Sequence, residues 1–263
     1  MVDSVLTVRD LISPGGPLDP SEVLAGRFST AAEAQSQARR QGYNLAAHYV
    51  IAYLTTSHDR IANLDERREI SHNAVVRING LSARQDASLI ARPIDDGVAV
   101  LLAQGSEAKM LSALNGMRLA CGISMERPLS QAPEAWEEAR LAALASAKLH
   151  ALQPTHFATL GFDRLLILLY RDHPGQLAAF VEDTLGPLLR HDARSATPLL
   201  PTLRAFMEHG GRLRETAAEI YVHRNTLAYR LDRAAEILGA DLKDPNARLT
   251  IAFALRALPL VSD

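Results

Sequence analysis

The sequence predicts an α+β protein, in which a ferredoxin-like or palm-like antiparallel sheet domain precedes an all-α domain. From His48 to about Leu160, strand-like and helix-like segments alternate in the order βαββαβα. After Phe162 the β-branched alternation disappears and the chain reads as helix. With 263 residues and 48% hydrophobic side chains, there is material for roughly one to three domain cores.

Each element has a local reason. Residues 13–20, Ser-Pro-Gly-Gly-Pro-Leu-Asp-Pro, are turn chemistry, so the first 28 residues are expected to be loosely organised. Thr30 and Glu33 have the spacing of a capping box and Gly42 is placed to stop the helix after Gln41, which predicts an Ala-rich connector or dimer-contact helix. His48–Thr55 is a strand, followed by a helix from about Asp65. Ala87–Ile94 and Gly97–Ala103 flank Asp95-Asp96-Gly97, a hairpin turn in which Asp and Gly tolerate positive φ. A helix around Glu107–Arg118 leads into a strand at Leu119–Ser124. A long Ala-rich helix follows from about Pro133 to Leu149, with Pro133 in its first turn. This order predicts a sheet with its helices on one face. The helical remainder is expected to break at His173-Pro174-Gly175, Gly186-Pro187, Thr197-Pro198 and Gly210-Gly211.

Composition excludes several classes. No unbroken apolar run exceeds six residues, the length of Val98–Ala103 and Leu165–Tyr170, against the ~20 needed to cross a bilayer. Met1–Asp10 carries an acid and no basic region feeding an apolar stretch, so no secretion signal is expected. With Cys121 the only cysteine, no intrachain disulfide and no Cys-based metal cluster can form. These features predict a cytoplasmic protein without membrane contact. The balance of 28 basic and 30 acidic residues argues against a uniformly basic nucleic-acid binder, while leaving room for a local DNA-reading module.

Such a module is legible in Leu199–Leu238. A helix to about His209 ends at Gly210-Gly211, and a short helix follows with Leu213, Ala217 and Ile220 at i, i+4 and i+7. Ala217 is small enough to let two helices cross closely. The connection Tyr221-Val222-His223-Arg224 opens a longer helix with the apolar stripe Leu227, Leu231, Ala234 and Leu238. Two short helices joined by a tight turn and backed by a third are the helix-turn-helix pattern. Asn225 and Tyr229 point away from the apolar stripe, with Thr226 and Arg233 to one side. Between Glu219 and Asp232 lie two arginines, Arg224 and Arg230, and no acid, so the window can approach phosphates without repulsion. Arg and Asn can bond guanine and adenine bidentately, and Thr can meet a thymine methyl or a phosphate. On periodicity alone a solvated helical hairpin is the commoner explanation, because Arg-bearing amphipathic helices are everywhere. The particular residues change that balance.

Val222-His223-Arg224-Asn225-Thr226-Leu227-x-Tyr229-Arg230-Leu231 resembles the signature of the C-terminal helix-turn-helix of PucR/CdaR-type bacterial transcription regulators. The resemblance extends upstream through Leu185–Leu189, Asp192 and Leu200–Phe206, and downstream through Leu242, Asp244-Pro245 and Leu249–Leu258. Cys121-Gly122-Ile123-Ser124 followed by Ala135–Ala147 resembles the end of the degenerate GGDEF-like domain that precedes this module in the family. Ala228 departs from the family, which usually carries a basic residue there. Leu6–Ile12 resembles the opening of the family's N-terminal sensory domain, the rest of which is missing.

A relationship to nucleotide cyclases raises the question of catalysis. Such enzymes carry Gly-Gly-Asp/Glu-Glu-Phe on the central hairpin, where this chain has Pro93-Ile94-Asp95-Asp96-Gly97-Val98. Thr55-Thr56-Ser57-His58 ends the first strand without the carboxylates that would hold metal, so Asp95 and Asp96 read as turn residues. No phosphate-binding Gly-x-x-x-x-Gly-Lys-Ser/Thr loop and no His-Glu-x-x-His occurs, and the nine histidines are scattered. No catalytic residue, metal site or cofactor is expected, and Cys121 and Trp136 read as core residues.

The expected organisation is therefore an N-terminal segment and connector helix over 1–42, a degenerate GGDEF-like domain over 43–160, and a helical domain over 161–263 with its helix-turn-helix at about 199–240. Arg224, Asn225, Thr226 and Tyr229 are expected to face the major groove of double-stranded DNA, with Arg212, Arg214, His223 and Arg230 anchoring phosphates. His223 is also the expected N-cap of the reading helix. One such helix touches few base pairs, so a homodimer on a pseudo-palindrome follows. The resemblance implies control of catabolic genes by a small-molecule effector. A nucleotide-converting enzyme and a protein–protein adaptor are the competing classes.

Overall fold

The computed structural model describes residues 36, 48–56, 64–81, 89–94, 97–128, 131–150 and 152–262. Apart from Ser36, which is helical, the connector helix expected from Thr30, its Gly42 stop and the turn residues Asp95 and Asp96 lie outside the described residues. The chain divides into two compact units, Met1–Ile167 and Leu168–Asp263.

The first unit is built on a mixed sheet of β1 (His48–Thr55), β2 (Leu89–Ile94), β3 (Gly97–Ala103), β4 (Ala120–Ile123), β5 (Arg127–Pro128) and β6 (Thr155–His156). Strand order is β2-β3-β1-β4-β6, with β5 paired to the start of β1. The first four strands are antiparallel neighbours, with Ala52 opposite Val100 and Ile123, whereas β6 runs parallel to β4. The helices are α1 (Leu64–Asn79), α2 (Glu107–Ala113) and α3 (Ala132–Lys148).

The helices do not share one face of the sheet. Ala74 and Ile78 of α1 and Met110 of α2 form a buried cluster with Ala52, Leu54, Val98, Val100, Leu102, Cys121 and Ile123. Successive strand residues alternate faces, so Tyr53 and Gly122 point the other way, and α3 lies there. The Tyr53 and Trp136 rings meet edge to face at 5.3 Å, and a Cβ on Gly122 would stand 2.0 Å from the carbonyl oxygen of Ala139 and the amide nitrogen of Ala143. Only a glycine lets β4 lie that close to the backbone of α3. Covering on both faces explains why Val98–Leu102 is an uninterrupted buried run rather than an alternating one.

Gly97 also has a role different from the expected turn. It opens β3, and a Cβ there would sit 2.1 Å from the carbonyl oxygen of Leu54, so the missing side chain allows strand contact. At the outer edge, the Asn79 amide donates to the Ala91 carbonyl at 3.0 Å and accepts from its N–H at 2.9 Å. Buried Glu138 of α3 holds Arg127 and accepts from the Met125 N–H at 3.0 Å, fixing β5 against the helix. His150 bridges Thr155 at 2.9 Å and buried Asp163 at 3.1 Å, a satisfied structural histidine.

A further helix, α4 (Asp163–Asp172), contains the division between the units. The second unit continues as α5 (Pro174–Asp192), α6 (Leu200–Glu208), α7 (Leu213–Glu219), α8 (Arg224–Leu238) and α9 (Pro245–Val261). Breaks fall at His173, in 193–199 and at Gly210-Gly211, as anticipated, but Gly186-Pro187 does not break α5. Pro187 removes one N–H from the helical ladder. The buried stripe Leu177, Val181, Leu185 and Leu188 runs past it, and packing against α9 outweighs that single loss. No helix among the described residues is long and apolar enough to cross a membrane.

Candidate nucleic-acid interface

α6, α7 and α8 form the helix-turn-helix, with α8 packed on α5, α6 and α7. Leu203 and Phe206 from α6, Ala217 from α7, and Leu227, Leu231 and Ala234 from α8 are buried. Leu238, expected in the same stripe, is half-buried. Thr216 is fully enclosed, and its hydroxyl donates to the Arg212 carbonyl at 2.8 Å, closing the first turn of α7.

The turn has defined geometry. Ile220 caps α7, the Val222 N–H donates to the Ala217 carbonyl at 3.1 Å, and the Tyr221 N–H donates to the Ala218 carbonyl at 3.4 Å. This paired closure is a Schellman motif, which places the residue after the cap in the left-handed region. That residue is Tyr221, with φ of 53°. His223 then caps α8, its Nδ1 accepting from the Asn225 N–H at 3.2 Å. The connection runs over 220–223, and Arg224 is the first helical residue rather than the last of the turn.

At roughly 100° per residue, Asn225 and Tyr229 lie opposite the buried stripe. Arg212, Arg214, His223, Arg224, Asn225, Thr226 and Tyr229 are exposed, and Arg230 is half-buried on the flank of α8. Among the described residues nothing bonds to the side chains of Arg214, Arg224, Asn225, Thr226, Tyr229 or Arg230. Arg212 is less available, because its Nε lies 3.9 Å from a Glu215 carboxylate oxygen. Of the acids bordering the window, Glu219 pairs with His209 of α6's cap, while Asp232 is exposed on the face of Asn225 two turns along α8; Glu236, a turn later, pairs with Arg233. The fold thus gathers the α8 candidates at one helix end, with Arg212 and Arg214 at the start of α7. Tyr221, 95% exposed, escapes sequence reasoning because a single aromatic in a four-residue turn carries no periodic pattern; only its backbone angle sets it apart.

Sheet unit and three-helix reading unit together define a two-part protein with a nucleic-acid-binding type of C-terminal module. Residues 199–257 match the PucR C-terminal helix-turn-helix domain, and residues 25–145 match the GGDEF-like domain. The chain belongs to the PucR/CdaR-type family of regulators. An uncharacterized protein in the pkwA 5′ region of Thermomonospora curvata is 34% identical over 164 residues, covering 61% of this chain and 87% of that protein. The purine catabolism regulatory protein of Bacillus subtilis is 40% identical over 86 residues, covering 33% of this chain and 16% of that protein. The transcriptional activator PmfR of Paenarthrobacter nicotinovorans is 30% identical over 176 residues, covering 66% of this chain and 36% of that protein. The chain therefore spans well under half the length of these two named regulators.

Proposed function

We propose that this chain is a cytoplasmic, sequence-specific DNA-binding transcription regulator of a catabolic operon, and that it is not an enzyme. The carrying observation is the N-terminal end of α8, where Arg224, Asn225, Thr226 and Tyr229 stand exposed and unpartnered in a window without acids. Exposed groups with no intramolecular task are available to a partner, and these suit base edges and phosphates. Arg224, Asn225, Thr226 and Tyr229 read the major groove, while Arg230, Arg214, His223 and, less strongly, Arg212 position the backbone. The sheet domain over 43–160 is a degenerate, non-catalytic GGDEF-like unit. Two copies bind a pseudo-palindrome, and a small metabolite sets their activity, as the family resemblance implies.

Selection of bound fragments from the source genome supplies the operator, and titration across salt concentration tests the interface. Phosphate neutralisation predicts a steep loss of affinity as salt rises. Salt-independent or undetectable DNA binding overturns the proposal in favour of a protein–protein adaptor, and turnover of GTP with Mg²⁺ or Mn²⁺ overturns it in favour of an enzyme. Sedimentation of the chain as a monomer with and without operator removes the dimer.

A further inference from the structure

The Tyr221 side chain contributes nothing visible to folding, and its backbone occupies a conformation suited to a different residue. Its φ of 53° is matched among the described non-glycine residues only by the positive φ of Leu152, whereas six glycines take positive φ. The Schellman closure of α7 demands this angle, and glycine meets the demand without steric conflict between Cβ and the following carbonyl. The ring gains no burial in return. It is 95% exposed, above every other large apolar side chain in the described chain, and no described residue bonds to its hydroxyl. An unburied, unbonded aromatic held in a strained turn points to a task outside the fold.

Position identifies the partner's chemistry. Tyr221 lies two residues before the N-cap of α8 and three before Arg224, inside the acid-free window bounded by Glu219 and Asp232. A turn at the entry to a reading helix comes against the strand bordering the groove rather than against base edges. There a phenol can donate its O–H to a phosphate oxygen while the ring lies on the apolar face of a deoxyribose. We infer that Tyr221 is a DNA-backbone contact of this kind, clamping the phosphate beside each half-site independently of sequence. The inference rests on the DNA-binding reading of α8 and adds to it a contact that orients the helix.

The test compares the full chain with Tyr221→Phe and Tyr221→Gly on a selected operator, on an unrelated duplex, and on an operator carrying a neutral methylphosphonate at the phosphate flanking the half-site. Tyr221→Gly relieves the backbone conflict, so its thermal midpoint is expected to rise while its affinity for both natural duplexes falls by about tenfold to a hundredfold, the scale of one lost charge-assisted hydrogen bond. Tyr221→Phe keeps the ring and falls between wild type and glycine. The methylphosphonate weakens the wild type but leaves Tyr221→Phe unchanged. Affinity of Tyr221→Gly within twofold of wild type overturns this inference and leaves the DNA-binding reading standing. A loss confined to the operator makes Tyr221 a base reader and overturns the backbone assignment, and a change in sedimentation instead of affinity makes it a subunit contact. Absence of salt-dependent binding by the wild type overturns both readings together.

Discussion

Adding one methyl group should have opposite consequences at two glycines. At Gly122 a Cβ would stand 2.0 Å from the Ala139 oxygen and the Ala143 nitrogen and 2.7 Å from the Ala142 carbonyl carbon. All three are main-chain atoms, so no side chain can rotate aside. Restoring ordinary contact requires β4 and α3 to separate by about 1.4 Å, and such a gap forfeits more than half of each dispersion contact it opens. The contacts at stake include the enclosed Ala135, Ala139, Ala142 and Ala143 and the Tyr53–Trp136 ring pair. Overpacking of this kind places Gly122→Ala at about 3 kcal/mol destabilising. For a unit of this size that corresponds to a midpoint lowered by roughly 10 °C. Gly175, near the start of α5, has nothing within 4 Å of its added Cβ, and Gly175→Ala should stabilise by roughly 0.5–1 kcal/mol. Trp136 is the single tryptophan and lies on α3, so its fluorescence during heating follows the sheet–helix contact, while circular dichroism follows the helices of both units together. A Gly122→Ala midpoint within 2 °C of wild type, or a larger loss at Gly175 than at Gly122, would refute the close-approach reasoning.

Two further outcomes follow from the reading helix and the sheet core. Asn225→Ala should relax preference among base substitutions in the operator by about 1–3 kcal/mol, whereas Arg230→Ala should weaken all duplexes alike and reduce the salt slope by about one; equal loss of preference from both would show the roles to be misassigned. Burial pushes the Cys121 thiol up to about 12, with Glu107 adding to the rise, so the group stays protonated and enclosed well above the ordinary thiol range near 8.5. Labelling of the folded chain with a thiol reagent should therefore stay slow and flat from pH 7 to pH 10, and a sigmoidal increase centred near pH 8.5 would place the thiol in solvent.

The elements legible in the sequence were those whose pattern is set by one dominant local cause. His48–Thr55 and Gly97–Ala103 stand out because β-branched and aliphatic residues are concentrated between turn residues, and both appear with the expected bounds. The placement of α3 on the second face was not legible, since an Ala-rich helix presents small residues all round and its direction of burial depends on Gly122. The two-residue strands β5 and β6 are too short to carry any periodicity. Gly186-Pro187 shows a local rule overridden by a tertiary one: buried leucines spaced along α5 keep the helix continuous through a residue that ends isolated helices. In the reading unit, apolar spacing located the helices and the polar residues between Glu219 and Asp232 located the candidate surface. Burial then separated its members, leaving Arg230 on a half-covered flank and Arg212 beside Glu215. Tyr221 required the backbone angle.

Asn79 and Pro93 have a consequence for behaviour at high concentration. Asn79 occupies both main-chain groups of Ala91, and Pro93, two residues along β2 on the same margin, has no N–H to offer. A neighbouring molecule approaching strand-first along this border finds the central donors spoken for or missing. Copies at high concentration can thus crowd without being zipped into a continuous ribbon through β2.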